Sequence, residues 1–270
     1  ILLGNLSELL SKQIIVFVPI YNTDGNDQFA KGLRPSQENS PLETGIRENG
    51  QGLDLNRDGM KMETPETKAM VANILNAWDP QMVVDLHTTN GTWHGYDLTW
   101  APGYLSSGEP GPYHYTNSTI LPYITNQVKK NNDLLFGPFG DFSTREGWPI
   151  KNFYTYNHHP RYIINQIGLR NRMSILSESF AHERFYQRIN STYQFVKEIL
   201  SFCNSNAAEI IQINQQAEKN AIENVRNNAG LVSKGVRFKM VPTAEGIRNF
   251  RTYDYIPFKK EDGNTSLIKT

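Results

Sequence analysis

"TPETKAMVANILNAWDPQMVVDLH", residues 64–87, spells out a helix and the strand that follows it. Thr64 offers a hydroxyl to cap a helix start, Pro65 fits the first helical position, and Glu66 suits the positive end of the dipole. Met70, Val71, Ile74, Leu75 and Trp78 recur at helical spacing and define one apolar face. Pro80 stops the helix, and "MVVDLH" (82–87) reads as a buried strand. Upstream, "QIIVFVP" (13–19) reads as another short buried strand, ended by Pro19. Between that strand and the helix, Tyr21 to Asp58 is loop, with turn residues at close intervals. Strand, long loop, helix, strand makes a βαβ-like unit. The expected fold is therefore α/β, a mixed but mostly parallel sheet flanked by helices. Sheets of this kind place their sites at the carboxyl ends of the strands.

Further along, 117–133 is predicted helical, with Pro122 near its first turn or kinking it. "MSILSES" (173–179) is a third buried strand, and 184–203 and 206–227 show helical periodicity. From 231 the texture changes: "GVRFKMVP" alternates polar and apolar residues, and the end is polar. The expected organisation is a main domain over 1–203, a helical connector over 204–230 and the start of a β-rich appendage over 231–270. The opening "ILLGN" reads as though cut from a longer protein.

Composition narrows the function classes. Formal net charge is zero over 270 residues, so no global field draws the chain to nucleic acid or an anionic membrane. The longest apolar run, "IIVFVPI" at 14–20, has seven residues; a bilayer span needs roughly 20. A single cysteine, Cys203, excludes an intrachain disulfide and a cysteine metal cage.

Candidate chemistry gathers at the strand ends and in one loop. His87 ends the 82–87 strand, and Glu178 sits among apolar neighbours in 173–179, where a carboxylate is seldom buried without a partner. His158 and His159 are adjacent and would face opposite sides of an extended segment; for them, and for His94 with Asp97, structural roles are expected. "RENGQGLDLNRD" (47–58) supplies Arg47, Asn56 and Arg57. A plain reading makes it a solvated loop whose arginines answer Asp54 and Asp58. Against that, Leu53 and Leu55 alternate with polar residues, as in a short extended piece packed on the core. Arginine also presents a planar fork suited to carboxylates and oxyanions.

In order and context, "PIYNTDG…RENGQGLDLNRD…PETKAM…DLHTTNG…ILSES" resembles the zinc carboxypeptidases of the carboxypeptidase A type, over roughly residues 1–203. The resemblance implies that Asn56 and Arg57 bind a substrate's terminal carboxylate and that Arg47 polarises the scissile carbonyl. It makes His87 a Zn2+ ligand and Glu178 the general base. It also implies a tyrosine that closes over the substrate; Tyr154, Tyr156 and Tyr162 lie in the right interval, and Tyr156 is chosen. The family's other two zinc ligands form an HxxE pair, which this chain lacks; the expectation is that they lie upstream, the alternative being a pseudoenzyme. Arg170 and Arg172 would be solvated or would help select an acidic or tetrahedral group. The implied activity is hydrolysis of C-terminal residues from peptides with a free C-terminus, in an extracytoplasmic or secreted setting. Two alternatives remain open: a zinc amidase or endopeptidase acting on cell-wall peptides, and an inactive relative that binds peptide termini or glycans.

Overall fold

The computed structural model describes residues 6–34, 41–104, 108–142, 152–227, 235, 238–241, 250–253 and 255–269. Its centre is a four-stranded mixed sheet built from β3 (Met82–Thr88), β4 (Leu98–Pro102), β5 (Phe136–Pro138) and β8 (Met173–Ser179), in the order β3-β8-β4-β5. β3 runs parallel to β8 and β4 parallel to β5, while β4 and β8 are antiparallel. Two-stranded ladders lie apart from it: β1 (Ala30–Lys31) with β2 (Glu43–Thr44), and β6 (Asp141–Phe142) with β7 (Phe153–Tyr154).

Helices cover both faces. On one side α4 (Leu121–Asn132), α6 (Phe185–Ser205) and α7 (Ala207–Asn227) enclose the larger core with Leu98, Ile124, Ile175, Phe195 and Ile210. On the other, α2 (Pro65–Met70) and α5 (Ile163–Leu169) bury Leu75, Ile163 and Ile167 against Val83. Because Ile210 joins the main core, residues 204–227 of the expected connector pack on the sheet's helical layer, and the break drawn at 203 falls inside α6. α6 buries Arg188, Ser191, Phe195, Glu198, Ile199 and Phe202 but leaves Phe185, Ile189 and Tyr193 exposed.

The helix read from 64–78 forms as its caps dictate. Thr64 accepts from the Thr67 N–H, Pro65 is the first helical residue, and a π-helical turn (Val71–Leu75) extends it. Leu75 is buried, yet Trp78 is exposed. The helix expected from 117 begins earlier, with α3 (Pro110–Tyr115), a π turn (Thr116–Ile120) and then α4. Pro122 therefore lies inside a continuous helical run. The wider π turn just before it accommodates the ring and the missing N–H.

One expected strand is absent. Residues 13–19 pair with nothing in the described sheet, and Ile14 is 79% exposed and Phe17 64%. This segment leaves α6, where Gln13 Nε2 donates to the Leu200 carbonyl (2.8 Å), and reaches α2, where the Tyr21 hydroxyl meets Thr67 Oγ1 (2.8 Å). A β-branched run becomes a strand only where a neighbouring ladder receives its N–H and C=O groups. β3 is consequently an edge strand, half-buried with Leu86 exposed, and the βαβ-like unit is not formed. Within the expected loop, α1 (Thr23–Asp27) and one 3-10 turn (Leu55–Arg57) add local order.

The appendage is described in part. β9 (Tyr255–Lys259) and β10 (Thr265–Lys269) form an antiparallel hairpin, and Phe250 packs on Tyr96 and Phe153. Of "GVRFKMVP", residues 236, 237 and 242 lie outside the described residues.

Asp58 ties the long loop to α2. Its carboxylate accepts from the N–H groups of Glu63 and Thr64 (both 2.9 Å) and from Thr64 Oγ1 (2.6 Å). Burial works to raise its pKa, but these donors outweigh it and hold the group below the usual aspartate range. A depressed carboxylate stabilises the fold above its unfolded pKa, and that stability is lost as pH falls through the folded value. Asp58→Asn should cost about 1–3 kcal/mol at pH 7 by urea unfolding, with the deficit shrinking below about pH 4. A pH-independent difference would contradict this role.

Candidate active site

The parallel pairing of β3 and β8 runs in register from Met82↔Met173 to Thr88↔Ser179 and sets His87 opposite Glu178. Side chains directly opposite on adjacent strands share a face, so imidazole and carboxylate lie side by side near the carboxyl ends of both strands. Asp85, two residues before His87, shares that face by the strand period. Its Oδ2 lies 2.9 Å from His87 Nε2. The contact lacks the alignment of a hydrogen bond, and Nε2 is a buried atom without a hydrogen-bond partner among the described residues. Glu178 Oε2 is buried with no hydrogen-bond partner among the described residues, on a residue only 9% exposed.

A buried polar atom left unpaired is costly, so the Glu178 oxygen beside the His87–Asp85 pair marks a place where something else is received. Burial raises the Glu178 pKa, His87 and Arg47 lower it, Asp85 raises it, and the outcome is about 7. For His87, burial favours the neutral ring, but the carboxylates of Asp85 and Glu178 prevail and push it up to about 9. A carboxylate with a pKa near the working pH is suited to take up and release a proton.

Arg47 reaches this cluster from the loop. It acts on both Glu178 and His87, and its Nε donates to Asp54 Oδ2 at 2.8 Å. Asn49 holds the loop's shape: its Oδ1 accepts from the N–H groups of Gln51 and Leu53, each at 3.0 Å. The tight turn puts Gly52 at φ +72°, a conformation that favours glycine. Leu55 is buried as expected, but 55–57 is a 3-10 turn rather than an extended piece, because Asp54 Oδ1 caps the Asn56 N–H. Asn56 is half-buried. Arg57 is exposed, and its guanidinium stands 4.8 Å over the Tyr162 ring. Asp58 does not answer Arg57; it is committed to Glu63 and Thr64.

Tyr156 lies in an aromatic group, with ring centroids 5.0 Å from Tyr162 and 5.1 Å from Tyr104. Its hydroxyl is buried without a partner among the described residues, and burial raises its pKa well above the tyrosine norm. Asp85 and Glu178 contribute to that rise, so Tyr156 borders the same cluster. In this state it is packed in rather than poised over an opening.

Other candidates fall elsewhere. His94 is buried and held neutral by burial and by His182, with its pKa lowered to about 4, and Asp97 accepts from the Leu135 N–H at 2.7 Å. His158 stacks on Tyr104 at 4.1 Å. Arg172 is neither solvated nor near the site. Its side chain is 7% exposed at the opposite end of β8, clamped by Asp79 (2.6 Å) and Glu218 (3.0 Å). Arg170 bonds Asn76 Oδ1 beside it. Asp85 is the site residue that sequence reasoning passed over, although its place two before His87 in a strand was the signal.

Hydrolytic zinc takes three protein ligands and a water. Among the described residues no group of three or more His, Cys, Asp or Glu side chains is arranged to hold a metal ion. The His87 nitrogen that now meets Asp85 fits one ligand position, and the described residues do not complete the set. No family model, curated protein or solved structure matches the chain.

A raised acid destabilises the fold once ionised: its contribution is full below the unfolded pKa and lost as pH rises through the folded value. In chelator, the native chain should therefore lose stability relative to Glu178→Gln as pH rises from 4.5 to about 7. At about 1.4 kcal/mol per pKa unit the loss is at most roughly 3 kcal/mol. Urea unfolding of both proteins at pH 5 and pH 8 measures it, and an unchanged difference would show that Glu178 is not held in this environment.

Proposed function

We propose that this chain is a metallocarboxypeptidase-type hydrolase, removing C-terminal residues from peptides with a free terminal carboxylate. The observation that carries the reading is the orphaned Glu178 carboxylate, raised to about 7, beside His87 at the carboxyl ends of two parallel strands. Zinc, with His87 as one ligand, would supply Lewis acidity and a water of lowered pKa. Glu178 would take a proton from the attacking water and hand it to the leaving amine. Arg47, already within electrostatic reach of Glu178, would stabilise charge developing on the carbonyl oxygen. Arg57 offers an exposed bidentate fork and Asn56 an adjacent neutral donor, the pair suited to one carboxylate. A carboxypeptidase distinguishes a chain end from a chain middle by that group alone.

Free-acid peptides should therefore be cleaved at least about tenfold to a hundredfold faster in kcat/KM than their C-terminal amides, since a charge-assisted hydrogen bond is worth roughly 1.5–3 kcal/mol. Arg57→Lys should weaken the free acids far more than the amides, because it keeps charge but loses the fork. Arg47→Ala should slow both alike. Equal cleavage of acids and amides would point instead to the amidase or endopeptidase reading. Binding of free acids without turnover would point to the inactive one.

A further inference from the structure

Tyr162 carries two guanidinium groups at once. Arg57 Cζ stands 4.8 Å from its ring centroid and Arg161 Cζ 5.0 Å, while Arg161 Nη2 donates to the Tyr162 hydroxyl at 3.0 Å. Backbone locks the two loops together: the Gly59 N–H donates to the Arg161 carbonyl at 3.0 Å. A Cβ at Gly59 would lie 2.7 Å from the Pro160 carbonyl oxygen and 2.9 Å from that of Arg161, so only glycine lets the segments approach this closely. The turn bearing Arg57 and the segment bearing Arg161 thus form one unit, and Tyr162 joins it to Tyr156 at the edge of the Glu178 cluster.

Two other arginines are neutralised by carboxylates. Arg47 has Asp54, and Arg172 has Asp79 and Glu218. Among the described residues neither Arg57 nor Arg161 is in an ion pair, and both are exposed. Two like charges sharing a ring, with no carboxylate of the described residues paired to either, suit a ligand that brings two negative groups. Both lie within 5.0 Å of one centroid, so the guanidinium carbons are at most about 10 Å apart. The two carboxylates of a C-terminal glutamate lie roughly 4–5 Å apart by bond lengths. Each can then meet its own guanidinium at an N···O distance of about 2.8 Å.

We propose that Arg161 is a specificity residue that grips the side-chain carboxylate of an acidic C-terminal residue while Arg57 holds the terminal carboxylate. The inference rests on the reading of Arg57 as the terminal-carboxylate grip. Charge near the ring would also favour the approach of acidic peptide ends at low ionic strength.

The test measures calorimetric binding to the full chain carrying Glu178→Gln, which removes the proposed base and leaves the loops. The probes are N-acetyl-Ala-Glu, N-acetyl-Ala-Gln and their C-terminal amides. The glutamate free acid should bind at least tenfold tighter than the glutamine free acid, about 1.4 kcal/mol. Adding Arg161→Ala should erase that preference and leave the glutamine acid within about twofold, whereas Arg161→Lys should keep part of it. Adding Arg57→Ala should weaken both acids. Circular dichroism confirms that each variant folds, and Arg161→Gln replaces any that does not. Equal binding of glutamate and glutamine acids, or a preference that survives Arg161→Ala, would overturn the acidic specificity while leaving the terminal grip standing. If neither acid outbinds its amide, the terminal grip itself fails, and this proposal with it.

Discussion

The register of β3 on β8 is the constraint on which the site depends. Slipped by one residue, His87 would face the opposite layer from Glu178, because a strand's side chains alternate with period 2. The register is held by burial on both faces of β8: Ile175 and Met173 in the larger core, Leu176 with Ile164 on the other side. β8 has neighbours on both edges, so its backbone groups have ladder partners whatever its side chains do. That is how the fold tolerates an acid in the middle of a sheet. The cost of burying Glu178 falls on its protonation equilibrium rather than on the backbone.

Charge is sorted by the same architecture. Asp54 and Asp58 open and close the "DLNRD" turn, yet neither neutralises Arg57. Asp54 takes Arg47 and the Asn56 N–H, and Asp58 takes the start of α2. With both of these carboxylates committed, Arg57 is left to the Tyr162 face and to the Asn56 carbonyl, to which its Nη1 donates at 2.8 Å. Cation–π contact holds a guanidinium in place without consuming its outward donors. The loop thus presents one arginine restrained by a carboxylate and, ten positions later, one available for a ligand.

Much of this was legible in the sequence, for identifiable reasons. Thr64-Pro65-Glu66 marks a helix start through local chemistry alone, and it formed where expected. "MSILSES" and "MVVDLH" read as strands because β-branched runs end at turn residues, and both are strands. "QIIVFVP" carries the same signal and is not one, because propensity cannot supply the missing partner ladder. Pro122 implied a position near the first turn or a kink, but a π turn, which no residue preference announces, let a helix that begins earlier run through it. At the site, Glu178 and His87 could be singled out by their places at strand ends. Their pairing could not, since it depends on strands some ninety positions apart in sequence finding one register. Arg161 and Tyr162 were invisible as a unit for a similar reason: their partner, Arg57, lies across the fold.

The account stands on Glu178 being a buried acid poised near neutrality. Its side-chain carboxyl carbon can be followed directly by NMR in protein labelled with 13C-glutamate, assigned by the signal lost in Glu178→Gln. In metal-free protein, the account predicts a titration midpoint near 7, with a second, smaller inflection as His87 loses its proton near 9. A midpoint at the ordinary glutamate value, about 4.3, would mean a solvated carboxylate and would contradict the site as described here.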